Sequence, residues 1–207
     1  MIDFALKLLL AWLLGSLVGS LVLGRVGGGP DIRTQGSGNA GGTNAWRTRG
    51  PGFALAVLAI DAGKGWLAVC AVAPLSLPGN PPLQSPWLPA GCAAAAVVGH
   101  VYPAWFGLRG GKGMATLVGA LAALAPPLLL PLALVWVLVL LLSGFVGLAS
   151  LASVAATATW QEVAGTPSPL GTFLVAAALF MTFTHRGNIG RMRAGTEPRL
   201  RLPWRTP

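Results

Sequence analysis

Residues typical of phosphate binding are concentrated in three short segments of the chain. The first segment, Gly36–Arg47, contains four glycines, two asparagines, a serine, a threonine and an arginine. Glycine allows backbone N–H groups to approach an anion closely, short polar side chains add hydrogen bonds, and arginine binds two phosphate oxygens at once. The pattern predicts a phosphate-binding loop, with a flexible glycine-rich linker as the alternative.

The second segment, Gly99–Thr116, combines His100 with the Gly-Gly-Lys-Gly run at Gly110–Gly113. A turn of this composition that opens the next helix places backbone donors and an ammonium group at the positive helix end. The run is not a nucleotide-binding P-loop, because a glycine follows the lysine and no strand precedes it. For Lys112 the alternative is a cationic anchor beside the membrane, and a lone histidine such as His100 is more often packed than catalytic.

The third segment, His185–Glu197, spaces His185, Asn188 and Arg191 three residues apart. If the last helix continues through this segment, that spacing places His185 and Asn188 on one face, and likewise Asn188 and Arg191. The alternative is a basic tail that touches anionic lipid. No serine lies in a recognisable nucleophile elbow and no histidine has zinc-ligand spacing, so the sequence predicts neither a metal nor a cofactor.

The composition places these segments in a membrane protein. Of 207 residues, 54% are hydrophobic and only 9% charged, against roughly 25% charged residues in ordinary globular domains. So few charges would not solvate a surface of this size in water. The formal charge of +9 lies mostly in short loops between apolar runs, which indicates membrane topology and no nucleic-acid partner.

Five apolar runs are candidates for membrane helices, since about 20 apolar residues span a bilayer. The first is too long for a cleaved signal sequence and is interpreted as a retained helix. Asp61 and Lys64 lie three residues apart inside the second run. Charges at such depth are usually paired or functional, so the leading interpretation is a mutual ion pair or a pair with another helix, with direct substrate contact as the alternative. The runs are Phe4–Leu23, Phe53–Ala73, Trp87–Phe106, Met114–Trp160 and Leu170–Thr184.

The positions of lysine and arginine predict the topology. Twelve of the fourteen lie in residues 25–49, residues 109–112 and the tail from residue 186, whereas the connectors 74–86 and 161–169 have none. The three basic segments should therefore be cytoplasmic. Breaks at residues 125–127, at residues 143–144 and in the second connector then give an all-α protein of about seven helices, with its N-terminus outside and its C-terminus inside. Five long helices with re-entrant segments are the alternative. The whole chain, 1–207, is predicted to form one membrane-embedded domain.

Together the three segments resemble the motifs of one family in the same order. They are similar to the bacterial acyl-phosphate-dependent glycerol-3-phosphate acyltransferases of phospholipid synthesis, the PlsY family, and the similarity extends over essentially the whole chain. The resemblance implies transfer of an acyl group from acyl phosphate to the 1-hydroxyl of glycerol 3-phosphate, giving lysophosphatidic acid and inorganic phosphate. It also implies no covalent acyl-enzyme and a site that faces the cytoplasm from the bacterial inner membrane. Membrane lipid is an expected partner, and the sequence does not indicate an obligate protein partner.

The resemblance assigns expected roles by matching motif positions. Arg47 and Lys112 would bind phosphate and stabilise charge as phosphate leaves. His185 is the candidate base among the side chains, although a substrate phosphate is the alternative proton acceptor. The implied catalytic residues are Ser37, Arg47, Lys112, His185 and Asn188. The implied substrate-binding residues are Gly36, Gly38, Asn39, Thr43, Asn44, His100, Gly110, Gly111, Gly113, Arg191 and Glu197, of which Glu197 is also expected to pair with an arginine.

The chain departs from the family pattern at a few positions. Gly42 replaces a common alanine and Arg199 a usual lysine. Family members commonly carry an arginine and a serine near Gly144 and Gly147, so Ser143 or Ser150 would have to replace that contact. A transporter of an organic phosphate or a phosphate-bearing lipid is the alternative function, since broken helices with buried charges also occur there.

Overall fold

The chain folds into helices, as its composition and spacing predict. The computed structural model describes residues 2–76, 85–165 and 167–200, and within these residues there is no β-strand. Part of the connector 74–86 and the tail residues Arg201 and Arg205 therefore lie outside the described residues. The helices are α1 (Ile2–Gly15), α2 (Gly19–Val26), α3 (Gly42–Leu67), α4 (Trp87–Val101), α5 (Met114–Leu124), α6 (Leu129–Ser143), α7 (Val146–Ala164), α8 (Pro169–Thr184) and α9 (Arg186–Arg193).

The chain divides into two compact units, Met1–Pro126 and Pro127–Pro207. The first unit contains α1–α5, with α1 packed on α4 and α3 packed on both α2 and α5. The second contains α6–α9, in which α7 packs against α6, α8 and α9. The single domain expected for residues 1–207 stays a prediction.

The first apolar run does not form one continuous helix, and the prediction for Phe4–Leu23 is wrong in this respect. The helix ends at Gly15, and α2 starts at Gly19 with its axis bent by 54°. Ser16 lies at the break, where its hydroxyl donates to the Trp12 carbonyl (2.8 Å) and accepts from the Ala104 N–H (3.1 Å). The serine hydroxyl thereby links the break to the turn that follows α4.

The second helix begins earlier than its apolar run. The sequence placed its start at Phe53, whereas α3 starts at Gly42 inside the first polar segment. A kink at Gly50 (φ 83°, ψ 178°), next to Pro51, separates the polar first turns from the apolar remainder. The helix then continues through a π-helical segment, Ala68–Val72.

The predicted breaks in the long apolar region are confirmed. Helix α5 ends at Leu124, just before the two prolines, and α6 ends at Ser143, where Gly144 has a left-handed backbone (φ 76°). In contrast, α7 continues to Ala164, so the last connector is shorter than residues 161–169. Helix α8 begins at Pro169, and the side chain of Ser168 caps it.

The number of membrane crossings stays a prediction. Among the described residues, Gly42–Val72 and Pro126–Ser143 are each long and apolar enough to cross a membrane, and the bent pair α1–α2 would provide a third crossing. Helices α5 and α8 are apolar but shorter. Seven crossings would require several such short helices, and the outside location of the N-terminus is likewise untested.

Two charged side chains and a histidine form the polar centre of the first unit. The ammonium nitrogen of Lys64 lies 3.0 Å from a carboxylate oxygen of Asp61, which confirms the predicted ion pair. His100 Nδ1 lies 2.8 Å from that ammonium and 3.3 Å from the same carboxylate oxygen. All three side chains are at most 3% exposed. We refer to Asp61, Lys64 and His100 as the buried triad.

The buried triad also satisfies the backbone at the α1–α2 break. Lys64 donates to the Leu17 carbonyl (3.1 Å), and Asp61 accepts from the Gly19 N–H (3.0 Å). Both backbone groups lack partners within a helix because the helix is interrupted there. An unpaired polar group costs several kcal/mol in an apolar environment, so the bend and the buried triad stabilise each other.

Close helix packing in the first unit depends on small residues. A Cβ on Gly65 of α3 would overlap the carbonyl oxygen of Thr116 on α5, and a Cβ on Gly119 would overlap that of Ala62. In contrast, a Cβ on Gly63 of α3 would meet nothing within 4 Å. Glycine is therefore required at some α3 positions by interhelical contact and at others is not.

Gly65→Ala should lower the free energy of unfolding by about 1–3 kcal/mol, because the added methyl group forces α3 and α5 apart. Gly63→Ala is the matched control in the same helix and should be neutral or stabilising by up to about 1 kcal/mol. Unfolding in an SDS titration, followed by circular dichroism, measures both variants. Equal effects at the two positions would contradict the close packing.

Asp61→Asn should cost about 3–5 kcal/mol of unfolding free energy, because it leaves the Lys64 ammonium buried without a countercharge. The double variant Asp61→Asn/Lys64→Met removes both charges and should recover part of that loss. The same SDS titration compares the single and double variants. A double variant that is less stable than the sum of the single effects would contradict a mutually dependent ion pair.

Candidate functional site

The side chain of Asn44 is buried and holds the first polar segment in its conformation. Asn44 lies in the first turn of α3 and is 1% exposed. Its amide nitrogen donates to the carbonyls of Ile32 (3.2 Å) and Gln35 (3.0 Å), and its oxygen accepts from the Ser37 N–H (2.9 Å). All three bonds go to the loop backbone. The predicted substrate contact of Asn44 is untested, and the structure gives its side chain a positioning role.

The backbone at Gly36 and Gly38 is left-handed, with φ of 55° and 71°. At Gly36 a side chain would also overlap the amide oxygen of Asn44, so only glycine fits there. Ser37 lies between these two glycines, and the N–H groups of Ser37 and Gly38 donate within the loop, to the Asn44 side chain (2.9 Å) and the Gln35 carbonyl (3.0 Å). The side chains of Ser37, Thr43 and Arg47 are exposed, whereas Asn39 is half-buried.

Arg33 connects the first polar segment to the second, and sequence reasoning had assigned it only to topology. Its guanidinium donates to both carboxylate oxygens of Asp31 (2.6–3.0 Å) and to the carbonyls of Phe106 and Arg109 (both 2.8 Å). This arginine holds the pKa of the Asp31 carboxyl below its usual value, and the carboxylate raises the pKa of Arg33. The separation in sequence, from residue 33 to residue 109, explains why spacing alone did not reveal the contact.

The second polar segment forms a tight turn over His100. The N–H groups of Gly110 and Gly111 donate to the carbonyls of Val101 (3.0 Å) and His100 (3.1 Å). A Cβ on Gly111 would overlap Nε2 of the His100 ring. His100 is 2% exposed and belongs to the buried triad. The predicted contact of His100 with substrate is untested. In the structure its ring packs directly against Gly111 of the turn.

Lys112 lies at the start of α5, as the sequence predicts. Gly113 (φ 92°) is the residue that precedes the helix, and α5 begins at Met114. The first N–H groups of a helix carry a partial positive charge, which favours anions there. Lys112 is half-buried, and so this side of the first unit combines a cation with helix-end donors.

The third polar segment begins at a joint between helices, not within one continuous helix. Helix α8 ends at Thr184 and α9 begins at Arg186, so the prediction that the last helix continues through this segment is wrong. His185 lies at the joint and is 3% exposed. Its Nδ1 is 2.9 Å from the Met181 carbonyl, which only accepts hydrogen bonds. Nδ1 therefore carries the hydrogen, and in the neutral ring Nε2 is the basic nitrogen.

Glu197 holds two of the predicted site residues. It accepts from the Asn188 amide nitrogen (2.5 Å) and from Arg191 Nε (2.7 Å), which confirms the predicted pairing with an arginine. The carboxylate is 5% exposed. Because Asn188 donates to Glu197 through its amide nitrogen, the orientation of the amide is fixed.

Gly147, which belongs to the segment where this chain departs from the family pattern, lies next to Asn188. A Cβ on Gly147 would contact that side chain at 3.1–3.2 Å, so Asn188 occupies the space where a side chain at position 147 would begin. Ser143 donates to the Val139 carbonyl (2.6 Å) and Ser150 to the Val146 carbonyl (3.0 Å). Both hydroxyls therefore donate within their own helices, and that of Ser150 also accepts from Nε1 of Trp136 on α6 (3.2 Å).

The structure thus brings together the first two segments through Arg33, within the first unit. His185, Asn188, Arg191 and Glu197 all belong to the second unit. Among the described residues, no group of three His, Cys, Asp or Glu side chains is placed to hold a metal ion.

Comparison with known proteins matches nearly the whole length of the chain. The family model for glycerol-3-phosphate acyltransferase matches residues 5–195. A glycerol-3-phosphate acyltransferase of Synechococcus sp. (strain JA-3-3Ab) is 40% identical over 193 residues, which cover 93% of this chain and 91% of the relative. One of Geobacillus kaustophilus (strain HTA426) is 38% identical over 199 residues, covering 96% of this chain and 97% of the relative.

Two solved structures share the fold. Both are of PlsY, described as an integral membrane glycerol 3-phosphate acyltransferase, and both are 30% identical to this chain. The glycerol 3-phosphate form has a TM-score of 0.83 and covers 96% of both chains. The lysophosphatidic acid form has a TM-score of 0.80 and covers 95% of this chain and 94% of the other. The resemblance drawn from the three polar segments is confirmed: this all-helical integral membrane protein belongs to the PlsY family of glycerol-3-phosphate acyltransferases.

Proposed function

We propose that this acyltransferase takes its acyl group from acyl phosphate and transfers it to the 1-hydroxyl of glycerol 3-phosphate. The products are lysophosphatidic acid and inorganic phosphate. The observation that carries the proposal is the rigid pair of glycine-rich segments in the first unit, which presents Ser37, Arg47 and Lys112 on a fixed backbone. Both substrates bear phosphate, and such a surface is suited to both.

The chemistry requires charge stabilisation more than a protein nucleophile. The 1-hydroxyl oxygen attacks the acyl carbonyl carbon, the bond from that carbon to the phosphate oxygen breaks, and phosphate leaves with the bonding electrons. Negative charge therefore grows on the carbonyl oxygen and then on the leaving phosphate. Fixed cations such as Arg47 and Lys112 lower the barrier because they need little reorganisation.

The residues of the second unit are assigned by their match to the family motifs and supported by their local geometry. His185 has its basic nitrogen at Nε2 and is the protein candidate for receiving the hydroxyl proton. A phosphate oxygen of a substrate is the other candidate. Asn188 and Arg191, both held by Glu197, are proposed to orient substrate oxygens. Membership of the family favours transfer chemistry over the transporter alternative.

We place the site on the cytoplasmic face of the bacterial inner membrane. Twelve of the fourteen lysines and arginines lie in the three polar segments and their flanks, which the distribution of positive charge assigns to the cytoplasm. Glycerol 3-phosphate is water-soluble, whereas the acyl chain of the donor is suited to the bilayer. A site at this boundary has access to both substrates.

Purified protein in lipidic mesophase should release phosphate from palmitoyl phosphate only when glycerol 3-phosphate is present, with lysophosphatidic acid formed in equal amount. Lys112→Ala should lower kcat/KM at least about 100-fold, because it removes a cation from the developing charge. A coupled phosphate assay and mass spectrometry of the lipid measure the two products. Arg193→Ala removes an exposed cation at the end of α9 and is the control, expected within about threefold of wild type.

The donor is distinguished by replacing palmitoyl phosphate with palmitoyl-CoA or palmitoyl-acyl carrier protein. Product from either thioester, but not from palmitoyl phosphate, would refute the proposed donor while leaving the acyltransferase assignment intact. Uptake of labelled glycerol 3-phosphate into proteoliposomes without any lipid product would instead support the transporter alternative.

A further inference from the structure

We propose that Arg33 is a positioning residue that fixes the Gly-Gly-Lys-Gly turn relative to the Gly36–Arg47 loop. The inference rests on the proposed function, since it assigns a role in that reaction. Arg33 precedes the first segment and is not among the residues matched to the family motifs. Its contacts are to backbone carbonyls and to Asp31, so its effect on the reaction would pass through the loops.

The geometry of the guanidinium defines this role. Nε and Nη2 both bond to the carboxylate of Asp31, which in turn accepts from the Arg33 N–H (2.9 Å). Nη1 is thereby aimed at the carbonyls of Phe106 and Arg109. A planar group with its donors in a fixed fork makes these contacts at the same time, which a lysine ammonium does not.

The two carbonyls enclose an unusual stretch of backbone. Gly107 and Leu108 both have left-handed conformations, with φ of 65° and 57°. Left-handed backbone is disfavoured for leucine because its Cβ crowds the following carbonyl. Arg33 binds the carbonyl just before this pair and the carbonyl just after it. The guanidinium therefore holds a conformation that the local sequence does not favour.

The second of these contacts fixes the peptide group that leads into the turn. The Arg109 carbonyl accepts from Arg33, and the N–H of the same peptide group, on Gly110, donates to the Val101 carbonyl. With both sides of the peptide bonded, its plane does not rotate freely. Gly111 and Lys112 follow directly, so the direction of the turn is set at this point.

The short turn that contains Arg33 is also connected to Ser37, through the side chain of Asn44. Arg33 lies in a short helical turn, Ile32–Thr34, and Asn44 donates to the carbonyl of Ile32 at its start and of Gln35 just after it. The same Asn44 accepts from the Ser37 N–H. Ser37 is thus linked to the Arg109 carbonyl, three residues before Lys112, through the hydrogen bonds of Asn44 and Arg33 and the short turn that carries Arg33. Displacing such groups by about 1 Å is enough to slow a reaction about 100-fold.

The test separates geometry from charge. Arg33→Met removes a positive charge together with the contacts to the turn, whereas Asp31→Asn removes a negative charge together with the carboxylate that aims Nη1 at the turn. We expect both variants to lower kcat for palmitoyl phosphate and glycerol 3-phosphate, by about 10–100-fold for Arg33→Met, with KM for glycerol 3-phosphate changed less than about threefold. Arg33→Lys should not restore kcat. Arg193→Met is the charge-matched control and should retain wild-type kcat.

Several outcomes would overturn the inference. One is wild-type kcat in Arg33→Met protein that remains folded, as judged by its thermal midpoint and elution volume. Another is opposite KM changes in Arg33→Met and Asp31→Asn with full rescue by Arg33→Lys, which would show that Arg33 acts through its charge. Wild-type protein that transfers no acyl group from any donor would refute the proposed function and the inference together, whereas an active wild type with an unaffected Arg33→Met would refute the inference alone.

Discussion

The burial of opposite charges among apolar helices is the constraint on which the first unit depends. Neither Asp61 nor Lys64 is stable in such surroundings without the other, and His100 contacts both. The same groups bond to the backbone on either side of the α1–α2 break. One buried cluster therefore determines where the first helix bends, how α3 sits against it and where the end of α4 lies.

The polar surface of the first unit is built on this cluster. The ring of His100 supports Gly111 from below, and Arg33 holds the preceding residues from the side facing the first loop. Glycine is required where these supports come closest, because a side chain at Gly111 would overlap the ring. The glycines of the two segments consequently leave room for these supports, and the N–H groups of Gly110 and Gly111 are themselves bonded to α4 carbonyls.

The sequence predicted those features that have local causes. Pro126 and Gly144 mark helix ends because proline lacks the N–H that continues a helix and glycine readily adopts the left-handed conformation that ends one, and Glu197 was correctly expected to pair with an arginine. The break after Gly15 was missed because the apolar run continues across it, and its flanking glycines, Gly15 and Gly19, resemble those inside helices, such as Gly65 in α3.

The site was predicted less completely, because long-range contacts decide which polar residues face a substrate. Asn44 was expected to bind substrate, but its side chain is consumed by the loop backbone. Arg33 looked like one more topological charge, since nothing in its spacing reveals carbonyls more than 70 residues away. His100 was expected to bind substrate, which stays a prediction, and only the structure reveals its contacts with Asp61 and Lys64.

Hydrogen–deuterium exchange of residues 107–113 tests most directly whether the buried triad holds the turn. In the wild type the Gly110 and Gly111 amides should be protected, since both donate to α4 carbonyls. In Asp61→Asn, exchange of this peptide should accelerate at least about tenfold while the first turns of α4 keep their protection. Unchanged protection of the turn in the folded variant would contradict the account, because the glycine-rich turn would then be independent of the charges beneath it.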